Sequence, residues 1–258
     1  MKRKVAVVTG GAGGIGAAVS RAFVSDGTAV TIADMDRDAS MKLAKELNAE
    51  SKNSALGLQV EVTDENSVIS VVKQTIESFG RVDFLVHCAG NNIRSPIIDM
   101  AAEDWNRVLG THLTGAFLFS KVVGRKLVRQ GDGGRVVFIS SVAAYSPVPE
   151  RGAYSPAKAG LIGLAGVLAL EWADYNINVN AVCPGMVLTP MTEMVYKREP
   201  ELRAERLKRM PLNREVMPEE IADLVLFLCS EKSAYITGTA VPIDGGFLNS
   251  GFFQTSDE

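Results

Sequence analysis

The sequence predicts an α/β fold, in which seven parallel strands form the single sheet of one doubly wound domain, with helices on both faces. Short runs of Val, Ile and Leu alternate with longer helical patterns along the whole 258-residue chain. The early runs are nearly continuous in apolar residues, as expected of parallel strands buried on both faces. No repeat, low-complexity tract or linker divides the chain, so we expect residues 1–258 to form one domain.

The strand-like segments are short runs rich in β-branched and apolar residues, and they are residues 4–9, 29–33, 56–62, 82–87, 135–140, 177–182 and 239–243. Helical patterns lie between them, at residues 14–26, 36–48, 65–79, 102–129, 153–174 and 218–230. Asp64, directly before Glu65, is a typical N-terminal cap for the third helix, and Pro218 is a typical first residue for the last one.

Composition and charge argue against several classes of protein. The net charge is −3 with both signs interspersed, which does not suggest binding to nucleic acid or to an acidic membrane. Three cysteines without a CxxC pair and only two histidines argue against a disulfide framework and against a metal site. The apolar run after the basic residues 1–4 is too short for an export signal, and no stretch reaches the ~18 apolar residues of a membrane span. We therefore expect a cytoplasmic protein.

A glycine-rich turn follows the first strand directly and opens the first helix. Residues 9–16 read TGGAGGIG, which fits both the GxGxxG and the TGxxxGxG spacings. Such a turn lets backbone N–H groups approach a pyrophosphate, although tight turns also use glycine for their own geometry. The strand–turn–helix context favours a dinucleotide site. Its candidate contacts are Gly10, Gly13, Gly14, Ile15 and Gly16.

Asp34 predicts which dinucleotide binds. It ends the second strand, 24 residues after Gly10, where a carboxylate can accept hydrogen bonds from the adenosine ribose and would repel the 2′-phosphate of NADP. No Lys or Arg lies in residues 10–16 to counter that repulsion. Arg37 argues the other way because it could reach a phosphate, and a solvated loop carboxylate is the alternative for Asp34 itself. We expect NAD.

A candidate proton-transfer site follows the fifth strand. Ser141 comes at the end of that strand, Tyr154 stands 13 residues later, and Lys158 lies four residues further on, on the same face of a helix. Oxidation of an alcohol by hydride transfer needs a base, and a free tyrosine, with a pKa of ~10, is a poor base at neutral pH. An ammonium ~4 Å away favours the phenolate by about 4 kcal/mol at an effective dielectric constant of ~20. Ser141 could then hydrogen-bond the substrate oxygen.

Together these motifs resemble the short-chain dehydrogenase/reductase family, and the resemblance covers nearly all of the chain. The glycine turn resembles the family's cofactor turn, and Ser141 with the YxxxK of residues 154–158 resembles its catalytic residues. Residues 180–189 resemble the segment that cups the nicotinamide, with Val187 and Thr189 in the contacting positions. The resemblance implies a Rossmann-type fold, a nicotinamide cofactor also held by Tyr154 and Lys158, a small-molecule substrate and a homotetramer.

Three positions depart from the common pattern of the family. The chain has HCAG where many members have NNAG, so that Cys88 and Gly90 take the cofactor-contacting positions. Glu61 and Val62 stand where Asp-Val often lies beside the adenine. His112 replaces the asparagine that helps to hold a water near the lysine in the family's proton relay. It could keep that relay and add a titration near pH ~6.5, or it could merely fill space in the helix.

Residues 186–217 are interpreted as a substrate lid, because they contain five of the nine methionines and lack a strand. The lid is also rich in Lys and Arg. These could favour an anionic substrate, with Arg94 as a further contact, but the interspersed glutamates also fit a solvated helix. Residues 161–170 are apolar all round and could meet either a second subunit or a neighbouring helix of the same chain.

The expected function is NAD-linked oxidation of a small polar secondary alcohol such as a sugar, a polyol or a hydroxy acid. Reduction of a 3-oxoacyl thioester is an alternative that the resemblance implies. A regulatory protein that binds the dinucleotide without turnover is the other alternative, since a fold does not determine a function.

Overall fold

The structure is a computed structural model and describes residues 2–252. Its strands form one seven-stranded sheet in the order β3-β2-β1-β4-β5-β6-β7, and all neighbouring strands are parallel. They are β1 Val5–Thr9, β2 Ala29–Asp34, β3 Ala55–Gln59, β4 Phe84–His87, β5 Gly134–Ile139, β6 Ile177–Pro184 and β7 Ala240–Ile243. The predicted doubly wound fold is confirmed.

Nine α-helices lie among residues 2–252, namely α1 Gly14–Ser25, α2 Arg37–Glu50, α3 Glu65–Phe79, α4 Ala102–Leu109, α5 Gly115–Gln130, α6 Tyr154–Glu171, α7 Pro190–Arg198, α8 Pro200–Leu207 and α9 Pro218–Cys229. The Asp64 side chain accepts a hydrogen bond from the Asn66 N–H and caps α3, as the sequence predicted. Pro218 begins α9. In the described residues, no helix has the length and apolarity needed to cross a membrane.

Two hydrophobic clusters cover the two faces of the sheet. The strand β1 contributes to both, because Val7 belongs to one cluster while its neighbour Val8 belongs to the other. Helices α3, α5 and α6 pack on the Val7 face, and helices α1, α2 and α9 pack on the Val8 face. This two-sided burial explains why the early strands are nearly continuous in apolar residues.

The winding of the chain reverses at β1, which lies between β2 and β4. In open parallel sheets a crevice forms at such a point, beyond the carboxyl ends of the strands. The strand β3 ends at Gln59, earlier than the predicted residue 62, and this leaves residues 60–63 free to line that crevice. Loops after β1, β2, β3 and β4 therefore converge on one edge of the sheet.

The predicted continuous helix of residues 102–129 is interrupted. Between α4 and α5 the chain makes a π-helical turn, Gly110–Thr114, with His112 buried at its centre. Turns of this kind accommodate an extra residue and occur frequently at functional sites. Apolar periodicity did not reveal the turn, because the helical pattern continues on both sides of it.

The outer face of α6 is open to solvent. Leu161 and Ala165 are buried on the sheet, whereas Val167 is 52% exposed and Leu170 is 83% exposed. A side chain added at Gly163 or Gly166 would meet nothing within 4 Å. No helix among residues 2–252 covers this face, so the alternative that a neighbouring helix of the same chain covers it is wrong for these positions.

Candidate active site

A cavity of about 1000 Å³ opens at the carboxyl ends of the strands. The glycine turn, Asp34 at the end of β2 and residues 60–63 after β3 form three of its sides. The predicted cofactor contacts that line it are Gly10, Gly13, Gly14, Ile15, Gly16, Asp34, Glu61, Val62, Cys88, Gly90 and Thr189. The structure thus brings these residues together around one crevice.

The backbone of the turn requires glycine for packing at Gly10, Gly11 and Gly16. Gly10 has a φ of +59°, and a Cβ there would lie 2.8 Å from the Ala89 Cα. A Cβ at Gly16 would collide with the Gly10 carbonyl oxygen. Gly13 differs, because a Cβ there would meet nothing within 4 Å. Its missing side chain leaves open space in front of the N-terminus of α1, where an anion is favoured by the helix dipole.

Asp34 is joined to the glycine turn by its carboxylate. It accepts hydrogen bonds from the Ala12 N–H at 3.0 Å and from the Asp36 N–H at 3.1 Å. A carboxylate has about four acceptor positions, so about two remain for a ligand. Arg37, the residue that argued for NADP, is exposed at the start of α2 and does not line the cavity.

Several residues that line this cavity were not predicted from the sequence, among them Met35, Thr63, Asn91, Arg107, Thr111 and Thr114. The first three directly follow residues that had been singled out. The last three recur at helical spacing on one side of the segment around His112, which could have shown that this side faces a ligand. Arg107 is also bound to Asp104 at 3.3 Å.

A second cavity, of about 310 Å³, adjoins the first and shares Thr189 with it. Ser141, Tyr154 and Val187 line it. Ser141 begins a short 3₁₀ turn after β5, and its Oγ accepts a hydrogen bond from the Ala143 N–H at 3.1 Å. Ser141, two residues beyond the end of β5, and Tyr154, the first residue of α6, therefore border the same space.

Lys158 lies one helical turn after Tyr154 and is buried, with 4% of its surface exposed. Its Nζ is 5.4 Å from the centre of the Tyr154 ring and donates a hydrogen bond to the Ile139 carbonyl oxygen at 2.7 Å. Ser140 Oγ donates to the Lys158 carbonyl oxygen at 2.8 Å, which ties α6 to β5. Burial lowers the pKa of Lys158, and its interaction with Tyr154 opposes that shift.

His112 lies against Tyr154, and the structure corrects one expectation about it. Its Nε2 lies 2.8 Å from the Asn91 carbonyl oxygen and 3.2 Å from the Asn91 backbone nitrogen, so the Asn91 backbone holds this edge of the ring. Burial and the charge of Lys158 lower the pKa of His112 to about 2. A charged imidazole would be both desolvated and repelled there, which argues against the alternative of a titration near pH ~6.5.

His87 performs a related structural role beneath the π-helical turn. Thr9 Oγ1 donates a hydrogen bond to His87 Nδ1 at 2.8 Å, and His87 Nε2 lies 3.3 Å from the Thr111 carbonyl oxygen. The imidazole thus connects β1 to the turn that carries His112. Burial lowers the pKa of His87 to about 3. The sequence pattern marks His87 only as a departure from a common motif.

Comparison with known proteins agrees with this geometry. A family model described as enoyl-(acyl carrier protein) reductase matches residues 10–248. The 3-oxoacyl-(acyl-carrier-protein) reductase FabG of Thermotoga maritima is 37% identical, over 96% of this chain and 99% of its own. The NAD-dependent glycerol dehydrogenase of Listeria innocua is 34% identical, over 95% of this chain and 93% of its own.

A solved structure of sorbitol-6-phosphate 2-dehydrogenase SrlD from Erwinia amylovora has the same architecture. Its TM-score is 0.90 at 31% identity, and the match covers 94% of this chain and 98% of that one. The matched regions include the glycine turn and the segment from Ser141 to Lys158. This protein is an oxidoreductase that uses a nicotinamide cofactor on alcohol or ketone substrates, and it belongs to the short-chain dehydrogenase/reductase family.

Proposed function

We propose that this protein is an NAD-linked dehydrogenase that oxidises a secondary alcohol on a small polar molecule, with Tyr154 as the proton acceptor. One observation carries the proposal. Tyr154, with Lys158 packed beside it, shares a small cavity with Ser141, and this cavity adjoins the large crevice beside the glycine turn. A reacting carbon between the two cavities would be within reach of both a cofactor and a proton-transfer group.

The residues of the large cavity fit a dinucleotide. The open space at Gly13 and the N-terminus of α1 suit a pyrophosphate, and Asp34 suits a ribose. Asn91 Oδ1 is buried without a hydrogen-bond partner among residues 2–252, so that an acceptor is available beside Gly90. When bound, the nicotinamide ring accepts a hydride from the alcohol carbon or returns one to the ketone carbon.

The chain's own residues supply the proton chemistry. Ser141 Oγ hydrogen-bonds the substrate oxygen and holds it in place. Tyr154, in its phenolate form, accepts the proton from that oxygen. The Lys158 ammonium stabilises the phenolate, and the Ile139 carbonyl oxygen fixes the position of Nζ. His112 stays neutral and acts as a positioning residue. Its Nε2 contacts the Asn91 backbone, and its ring packs edge-on against the Tyr154 ring.

Asp34 supports NAD rather than NADP as the cofactor. Its two remaining acceptor positions can bind ribose hydroxyl groups, whereas a 2′-phosphate would meet a carboxylate already held by two backbone N–H groups. The relative from Listeria innocua is named as an NAD-dependent enzyme. We further propose that the protein works in the cytoplasm, where the NAD-linked reaction would take place.

We also propose a homotetramer. The exposed Val167 and Leu170 form an apolar stripe on α6, with Gly163 and Gly166 beside it, where the backbone of a second copy could approach closely. A soluble monomer rarely leaves such a face uncovered. This surface supports self-association of the protein. The number of four copies is what membership of the family leads us to expect.

The first test is a substrate panel with the change in absorbance of reduced nicotinamide as the measurement. Sugars, polyols, hydroxy acids and 3-oxoacyl thioesters are offered with NAD or NADP. We expect NAD-dependent oxidation of a small polar alcohol and a loss of about 10²- to 10⁴-fold in kcat for Tyr154→Phe. Preferred reduction of the thioester would replace this proposal with the activity that the relative from Thermotoga maritima is named for. Tight cofactor binding without any turnover would favour a dinucleotide sensor.

A further inference from the structure

The small cavity that contains Tyr154 is also lined by three arginines, which are Arg151, Arg206 and Arg209. Arg151 lies shortly before α6, Arg206 lies on α8, and Arg209 follows α8 in the predicted lid. No Asp or Glu lines this cavity. Its wall therefore carries three positive charges without a compensating carboxylate.

Three other cations of the lid are paired with glutamates. Arg203 binds Glu215 at 2.6 Å, and Lys197 binds Glu193 at 2.9 Å. Arg214, just beyond α8, likewise binds Glu220 at 2.7 Å. At these three positions the basic residues of the lid are neutralised by glutamates, as expected of a solvated surface with salt bridges.

The cavity arginines have no such partners among residues 2–252. Arg206 reaches only the Tyr196 hydroxyl group, at 3.5 Å, and Arg209 lies 4.9 Å from the centre of the Phe247 ring. The Arg151 side chain makes neither a hydrogen bond nor an ion pair with the described residues. The two interpretations of the basic lid thus apply to different residues, and Arg206 and Arg209 are the ones that face a ligand site.

Arg151 lies in a positive environment. Burial lowers the pKa of Arg151, and the nearby charges of Arg94 and Arg206 lower it further. Half-buried like charges without a counter-ion are unfavourable, and a bound anion would remove that cost. Guanidinium groups suit this role because their planar N–H donors match the oxygens of a carboxylate or a phosphate.

We propose that the substrate carries an oxyanion group, a carboxylate or a phosphate, which Arg151 and Arg206 bind while Ser141 and Tyr154 hold the reacting hydroxyl group. The inference rests on the proposed function, since it names the substrate class of the same site. The cavity volume of about 310 Å³ is at the lower end for ligand sites, so the substrate is a small hydroxy acid or a sugar or polyol phosphate.

Matched pairs of substrates test the proposal. 3-Hydroxybutyrate is compared with its methyl ester, and sorbitol 6-phosphate with sorbitol, each with NAD. We expect kcat/KM to be at least about tenfold higher for the charged member of one pair. A preference in the first pair identifies a carboxylate site, and a preference in the second identifies a phosphate site. Arg206→Gln and Arg151→Gln should lower that charged-to-neutral ratio by about 10- to 100-fold, mainly through KM.

Lys208→Gln is the matched control. Lys208 is exposed, lies between Arg206 and Arg209 in the lid, and does not line the cavity. The variant removes the same charge, so an unchanged ratio in Lys208→Gln shows that position rather than net charge decides the preference. Arg206→Lys should recover part of the lost ratio, because it restores the charge without the planar pair of donors.

A binding measurement separates failure of this inference from failure of the proposed function. Malonate and inorganic phosphate are titrated calorimetrically into the NAD-bound protein and its arginine variants. Binding of either probe that is weakened by Arg206→Gln supports the anion site, even if no alcohol is oxidised. Neutral alcohols oxidised as efficiently as charged ones, with a ratio unaffected by the arginine variants, would overturn the inference and leave the dehydrogenase intact. The inference would also be overturned if neither malonate nor inorganic phosphate bound to the NAD-bound protein.

Discussion

The imidazole of His112 lies edge-on to the phenol ring of Tyr154, with ring centres 5.4 Å apart and planes at 85°. Gly90 packs against the His112 ring so closely that a Cβ at Gly90 would collide with it. His112 is thus held between the loop after β4 and the start of α6, which fits the positioning role that we propose for it.

We expect His112→Asn to leave the apparent pKa values of the pH–rate profile in place while kcat falls by up to about tenfold. The pKa of His112 is lowered to about 2, so the ring is neutral at every pH at which the enzyme would work. The profile of kcat/KM between pH 5 and pH 9 checks this. A limb near pH ~6.5 that vanishes in the variant would show that His112 titrates after all.

The folded protein should lose stability as the pH falls from neutrality. The pKa of His87 is lowered to about 3 and that of His112 to about 2, so both rings are neutral in the folded chain. The unfolded chain binds protons at these residues below pH ~6.5, and stability therefore rises with pH between ~3 and ~6.5. Each histidine contributes up to about 1.4 kcal/mol per pH unit.

Urea unfolding at pH 7 and pH 5 measures that dependence. The His112→Asn variant has one titrating histidine fewer and should show a weaker dependence on pH than the natural chain. An identical dependence in both proteins would contradict the assignment of a buried, neutral His112.

Asp34→Ser should shift cofactor preference towards NADP by about 10- to 100-fold, measured as the ratio of kcat/KM with NADP to kcat/KM with NAD. The substitution removes the charge that repels a 2′-phosphate and the acceptor that binds ribose hydroxyl groups. Arg37→Gln is the control, since Arg37 does not line the cavity. An unaltered ratio in Asp34→Ser would reject Asp34 as the selecting residue.

Val167→Glu combined with Leu170→Glu should split the oligomer into smaller species. Two carboxylates would have to be desolvated on the exposed stripe of α6 for the interface to form. Light scattering coupled to gel filtration gives the mass. Lys42→Glu, at an exposed position on α2, serves as a control for added charge. A doubly substituted protein with the mass of the natural one would place the interface elsewhere.

Much of the candidate site could be predicted because its signals are local. The glycine turn is one strand–turn–helix unit, and Tyr154 and Lys158 are four residues apart in one helix. Asp34 was found because it ends a strand whose apolar run was clear. In each case neighbouring residues alone define the backbone, so periodicity and spacing were sufficient.

The π-helical turn could not be predicted in this way. It inserts one residue into a pattern that is helical on both sides, and its position depends on contacts of His87 and His112 with β1 and with the loop after β4. The neutral state of His112 has the same origin. Desolvation by distant parts of the chain lowers its pKa, whereas the residue type alone suggested a titration near pH ~6.5.

The sequence by itself determined the α/β fold, the glycine turn and the Tyr154–Lys158 pair, because these follow from the order of residues within single elements. Only the tertiary structure decided which arginines of the lid are paired with glutamates and which line the small cavity that contains Tyr154. The physical reason is that charge pairing and burial depend on which side chains meet in space. Arg203 and Arg206 are three residues apart on α8, yet the first binds Glu215 and the second faces Tyr154's cavity.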